Sequence, residues 1–180
     1  MTTPREMTGP ELLAIADEAL PEVVRQAELK MEQALQMALA GDQRASALAA
    51  AYGAVSAGLV AAAGTLGAID HARTPLVTGL AIGAVLFLIA ACICAGACRA
   101  ISFYAAGNEP ASIWMSANNL IGMNRLYCRE LDVRLKRNAA VLQRTGRWTN
   151  WGQAVAVAAP FAGIAAYVAV SAYPGLLCFL

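Results

Sequence analysis

Three stretches without a single charged residue, 45–69, 76–98 and 149–180, leave this chain few ways to fold. Each exceeds the ~20 apolar residues with which a helix crosses hydrocarbon. Only 14% of the residues are charged, against about 25% in a typical soluble domain, so there is too little polar surface for an ordinary water-soluble globule. The expected fold is all-α: an integral membrane helical bundle of about three transmembrane helices with two amphipathic cytoplasmic helical segments.

Charge and cysteine usage exclude other classes. Thirteen Lys/Arg balance twelve Asp/Glu, whereas a nucleic-acid binder presents a strongly basic face, so no nucleic-acid partner is expected. Three of the five cysteines (Cys92, Cys94, Cys98) fall inside a predicted span and the count is odd, which argues against a disulfide scaffold. The first 45 residues are acidic and helix-like, with no basic lead into a short apolar core, so the first span is expected to act as an uncleaved anchor.

The chain reads as four segments. Residues 1–44 form an acidic helical region: Pro10 and Glu11 suit a helix start, Pro21 predicts a kink or break with a second helix opening behind it, and Leu20, Val24, Ala27, Met31, Ala34, Leu35 and Ala38 form one apolar stripe. The stripe calls for a partner, either the chain's own second amphipathic segment or another copy. Adsorption on a membrane surface is the weaker option, because four basic against eight acidic residues in 1–45 is the wrong balance for an interfacial helix.

Residues 45–98 read as a transmembrane hairpin. Eleven Ala and four Gly in 45–69 give rows of small residues, Gly53/Ala57/Ala61 and Ala50/Ala54/Gly58/Ala62, which let helix backbones approach in lipid. That span is expected to be buried against other helices. Its partner is greasier and carries Gly79 and Gly83, a small-residue face expected to meet the first span. Residues 99–148 form a basic helical region with a roughly heptad stripe (Leu120, Tyr127, Leu131, Leu135, Leu142, with Ile121, Cys128 and Ala139 beside it). Residues 149–180 hold a third apolar segment interrupted by Pro160 and Gly163, read as a span with a re-entrant loop as the alternative, and an apolar tail; Trp148 and Trp151 mark its interface.

Residues 99–150 carry eight basic and three acidic side chains, so the positive-inside rule places them and the N-terminus in the cytoplasm. Net charges of −4 for 1–45 and +5 for 99–150 suggest that the two regions pair, acidic helix on basic helix.

Little in the chain points to chemistry. His71 is the only histidine, so one chain cannot assemble a multi-histidine metal site or a Ser-His-Asp triad. There is no phosphate-binding loop and no ionisable Asp, Glu, Lys, Arg or His within a span, which argues against an ion-coupled transporter. No enzymatic activity, cofactor or metal is expected. Asp70, His71 and Arg73 at the hairpin tip read as a solvated turn, with pH sensing the sharper alternative. Phe103, Tyr104, Gly107, Asn108, Glu109, Pro110 and Trp114 read as an interfacial elbow, with a small recognition patch as the alternative.

A cytoplasmic helix, the entry Asp42-Gln43-Arg44-Ala45-Ser46, a close-packed hairpin and a following cytoplasmic helix together resemble the SLATT-like and cyclic-nucleotide-defence membrane effectors of bacterial anti-phage signalling. The likeness covers residues 22–145, and the third apolar segment departs from the two-span plan. It implies a homo-oligomer in the bacterial inner membrane that breaches the bilayer when a partner triggers it through the cytoplasmic helices. The competing reading is a non-catalytic accessory or structural subunit of a larger membrane complex, with membrane lipid and a protein partner as its contacts.

Overall fold

The computed structural model describes residues 15–69, 74–98 and 120–173. They form three α-helices, α1 (Leu20–Ile69), α2 (Thr74–Ala97) and α3 (Leu120–Ala172). Each is long and apolar enough to cross a membrane. The hairpin-tip residues Asp70, His71 and Arg73, the elbow from Phe103 to Trp114 and the helix start at Pro10 lie outside the described residues.

The acidic segment and the first span are one helix of 50 residues, and the basic segment and the third span one of 53. At 1.5 Å per residue these measure about 75 and 80 Å. No proline falls between Pro21 and Pro75 or between Pro110 and Pro160, so nothing interrupts the i→i−4 ladder. Pro21 is the second residue of α1, where a missing N–H has no helical partner to lose. The expected break is therefore the helix start, prepared by a turn in which the Ala19 N–H donates to the Ala16 carbonyl at 2.9 Å. Pro160 lies inside α3 without ending it, so the apolar segment does not fold back as a re-entrant loop over its described length.

The chain divides into two compact units, Met1–Gly41 with Ala100–Gln143, and Asp42–Arg99 with Arg144–Leu180. In the first unit α1 and α3 run parallel. Asp17 meets Arg125, Leu20 clusters with Cys128, and Met31 meets Asn138, so partner numbers rise together at a nearly constant offset. The α3 seam is Asn124, Cys128, Leu131, Leu135, Asn138 and Leu142, all buried or half-buried at strict three-four spacing. Ile121 and Ala139, expected on this stripe, are exposed. Asn138, fully buried, occupies the position beside Ala139, and its amide donates to the Met31 Sδ at 3.7 Å.

Opposite charge joins the two helices where Arg125 pairs with Asp17 at 2.7 Å and the Tyr127 hydroxyl donates to Glu28 at 2.9 Å. Other charges are satisfied along one helix, as in Glu130 with Arg134 and Asp132 with Lys136. Burial pushes the Cys128 thiol above its ordinary pKa, so this cysteine serves as a small apolar side chain.

In the second unit α2 runs antiparallel to the neighbouring part of α1. The Ser56 hydroxyl donates to the Ala84 carbonyl at 2.8 Å, Tyr52 and Phe87 have ring centroids 6.1 Å apart, and Gly67 lies over Val77. The α3 seam continues through Thr145, Thr149, Gly152, Ala156, Ala159, Gly163, Ala166 and Val170 in the same alternation. Residues this small bring α3 close to its neighbours.

Leu131→Ala should lower the unfolding free energy by about 2–5 kcal/mol, because a fully buried leucine leaves a cavity, whereas Asp17→Asn should cost less than about 1 kcal/mol at an exposed pair. Denaturant unfolding in mild detergent followed by circular dichroism checks both. In the first turn of α1, outside the apolar stretch, hydrogen bonds from Arg25 and then Gln26 hold the Glu22 carboxyl down at about 2. A depressed carboxylate contributes its stabilisation above its unfolded pKa and loses it as pH falls through the folded value. The Glu22 carboxyl carbon should therefore titrate near pH 2 by NMR, and Arg25→Gln should raise that midpoint towards the ordinary glutamate range.

Candidate functional site: a glycine contact and an apolar groove

In the second unit two glycines bring the backbones of α2 and α3 into direct contact. A Cβ placed on Gly79 would lie 2.8 Å from the Gly163 carbonyl oxygen, and one placed on Gly163 would lie 2.9 Å from the Gly79 carbonyl oxygen. Reciprocal backbone contact of this kind excludes any side chain from either position and favours Cα–H···O interactions. Gly83 lies beside it, with its own Cβ position 3.6 Å from Leu59 of α1. The face carrying Gly79 and Gly83 was expected to meet the first span. It does so through Gly83, while Gly79 meets α3, whose glycine the sequence presents only as an interruption.

A second close approach lies nearer the polar end. A Cβ on Gly152 would be 2.5 Å from the Cys94 Sγ and 3.2 Å from the Ala90 carbonyl oxygen. Cys94 is buried and Cys98 half-buried, the latter with its thiol towards the Cys94 and Asp42 carbonyls. These cysteines fill helix junctions, as expected of small apolar residues.

Beside the glycine contact is an apolar groove of about 350 Å³. All three helices wall it: Val55 and Leu59 from α1, Gly79, Gly83 and Phe87 from α2, and Pro160, Gly163 and Tyr167 from α3. It exists because glycines stand where larger side chains would fill the space. Its walls suit an apolar group.

The small rows of α1 face away from this site. Ala50, Ala54, Ala57, Gly58 and Ala61 are exposed, and a Cβ on Gly53 or Gly58 would meet nothing within 4 Å. Within one chain, Gly53, Ala57, Gly58 and Ala61 are therefore not the small-residue contact of the hairpin. The buried face of α1 uses Ala45, Ser56 and Ala63 with Tyr52, Leu59 and Leu66 half-buried, because larger side chains fill the gap between the helices while Ser56 finds a carbonyl. The exposed surfaces of α2 and α3 are bulkier, with Ile82, Val85, Leu88, Val157, Phe161, Ile164 and Val168.

Gly79→Ala and Gly163→Ala should each lower stability by about 1–3 kcal/mol through overpacking. Gly53→Ala, with open space around it, should be neutral or stabilising by up to about 1 kcal/mol through helix propensity. Parallel denaturant titrations of the three variants check the contrast. Comparison with protein-family models, curated proteins and solved structures returned no match.

Proposed function

We propose that the protein is an oligomeric, membrane-embedded helical protein of the bacterial inner membrane, acting as a channel-like or membrane-perturbing effector under the control of its polar helical segments. The observation that carries this reading is the contrast between exposed faces. Along α1, Ala47, Ala50, Ala54, Ala57, Ala61, Gly64 and Ala68 are all exposed at alternating spacings of three and four, beside the bulky faces of α2 and α3. Lipid chains reward a bulky surface as well as a smooth one. A smooth face gains most from another helix, because it lets two backbones approach.

In this reading α1 is the contact between copies, and the bulky faces of α2 and α3 meet lipid. The N-terminus is cytoplasmic on the balance of basic residues. A contact without interlocking side chains allows more than one packing arrangement, which suits a protein that repacks when triggered. The resemblance to SLATT-like effectors supports the same conclusion. The accessory-subunit reading draws on a different observation: the first unit exposes Leu29, Met37, Leu39, Leu126 and Val133 outside the apolar stretches, a surface suited to a protein partner.

Light scattering of the purified chain in nanodiscs, with lipid mass subtracted, should give a single closed oligomer. Ala57→Leu/Ala61→Leu should reduce it to smaller species, and vesicles holding the wild-type oligomer should leak an entrapped dye once triggered or crowded. A wild-type monomer that leaves vesicles tight would overturn the effector reading in favour of the accessory one.

A further inference from the structure

One exposed cluster in the second unit is used by neither the glycine contact nor the α1 face. Arg144, Arg147, Trp148 and Trp151 stand at i, i+3, i+4 and i+7 on α3, the spacing of a single helix face. All four are exposed, Trp148 at 47% and Trp151 at 62%. Acidic residues cannot neutralise them from their own helix, since no Asp or Glu follows Asp132 in the sequence. Among the described residues of this unit the remaining charges are Asp42 and Arg44, which cancel. The two guanidiniums are thus a net positive pair immediately before the stretch in which charged residues cease.

The same face continues in apolar form. Ala154, Ala158, Phe161, Ala165 and Val168 follow Trp151 at alternating spacings of three and four, and all are exposed. Two cations, two indoles and an apolar run of three alanines, a phenylalanine and a valine therefore occur in sequence along one helix face. We propose that this strip binds an anionic phospholipid, with the phosphate on Arg144 and Arg147, the glycerol ester region beside Trp148 and Trp151, and an acyl chain along the apolar run. Charge complementarity selects this occupant: a guanidinium pair recognises phosphate oxygens, the indoles favour the headgroup level, and the uncharged apolar run below suits an acyl chain. A protein helix would leave the two cations without partners unless it carried acids at matching positions. The inference rests on the reading that α3 crosses a membrane.

The test uses the full chain carrying Trp114→Phe, which leaves Trp148 and Trp151 as its tryptophans. The protein is reconstituted in phosphatidylcholine vesicles, and its fluorescence is titrated with phosphatidylglycerol or phosphatidylcholine brominated near the headgroup. Quenching should favour phosphatidylglycerol by about tenfold in apparent affinity, and millimolar inorganic phosphate should leave that preference intact. Arg144→Gln/Arg147→Gln should bring the ratio to about one while both lipids still quench, which shows that the helix remains inserted. Equal quenching before the arginines are changed, a preference that survives their removal, or displacement by inorganic phosphate would each overturn the proposal. Carbonate extraction of the same vesicles tests the span reading separately. Release of the protein would overturn that reading, whereas a retained protein without lipid preference would overturn the lipid strip alone.

Discussion

At Gly79 and Gly163 two helix backbones stand so close that neither position has room for a methyl group, and the packing of the second unit follows from that approach. The carbonyl of each helix faces the glycine of the other. Because no side chain separates them there, the neighbouring volume is left to be filled from a distance, and Leu59, Phe87, Pro160 and Tyr167 only partly fill it. The groove and the close contact are therefore two results of one substitution of hydrogen for side chain. In lipid, where apolar association has little hydrophobic drive, such backbone proximity is a principal source of helix affinity.

The first unit is held together differently. Its seam is that of a parallel helix pair with leucines, a cysteine and one buried amide. Asn138 is fully buried against Met31, and a polar residue in such a seam disfavours any shift of one helix along the other, since a shifted register would strand the amide among apolar groups. Arg125 with Asp17 keeps the same offset at the flank, and Tyr127 reaches across to Glu28. The exposure of the Arg125–Asp17 pair makes it a guide to alignment more than a source of stability. One helix pair thus combines apolar burial with polar selection of the register, while the second unit relies on small residues.

Much of this was legible from periodicity. Leu20, Val24, Ala27, Met31 and Ala34 lie on the buried side of α1 in the first unit, and Cys128, Leu131, Leu135 and Leu142 on the buried side of α3. Asn138 is buried where its neighbour Ala139 is exposed, a choice that hydropathy alone does not make. The three-four spacing from Leu131 through Leu135 already pointed at position 138. Trp148 and Trp151 mark an interface by residue type, and their three-four spacing with Arg144 and Arg147 sets all four on one helix face.

The sequence by itself determined that the chain forms helices with three apolar stretches long enough to cross a membrane, since an absence of charge over more than twenty residues and the positions of a few prolines decide that locally. The tertiary structure decided which small residues touch. Gly53, Gly58, Gly79 and Gly163 all lie in apolar helical sequence, yet only the last two meet another backbone. Smallness permits close approach from any partner and names none. The choice depends on the rotation of each helix about its axis, which is set by the larger side chains on all three helices together.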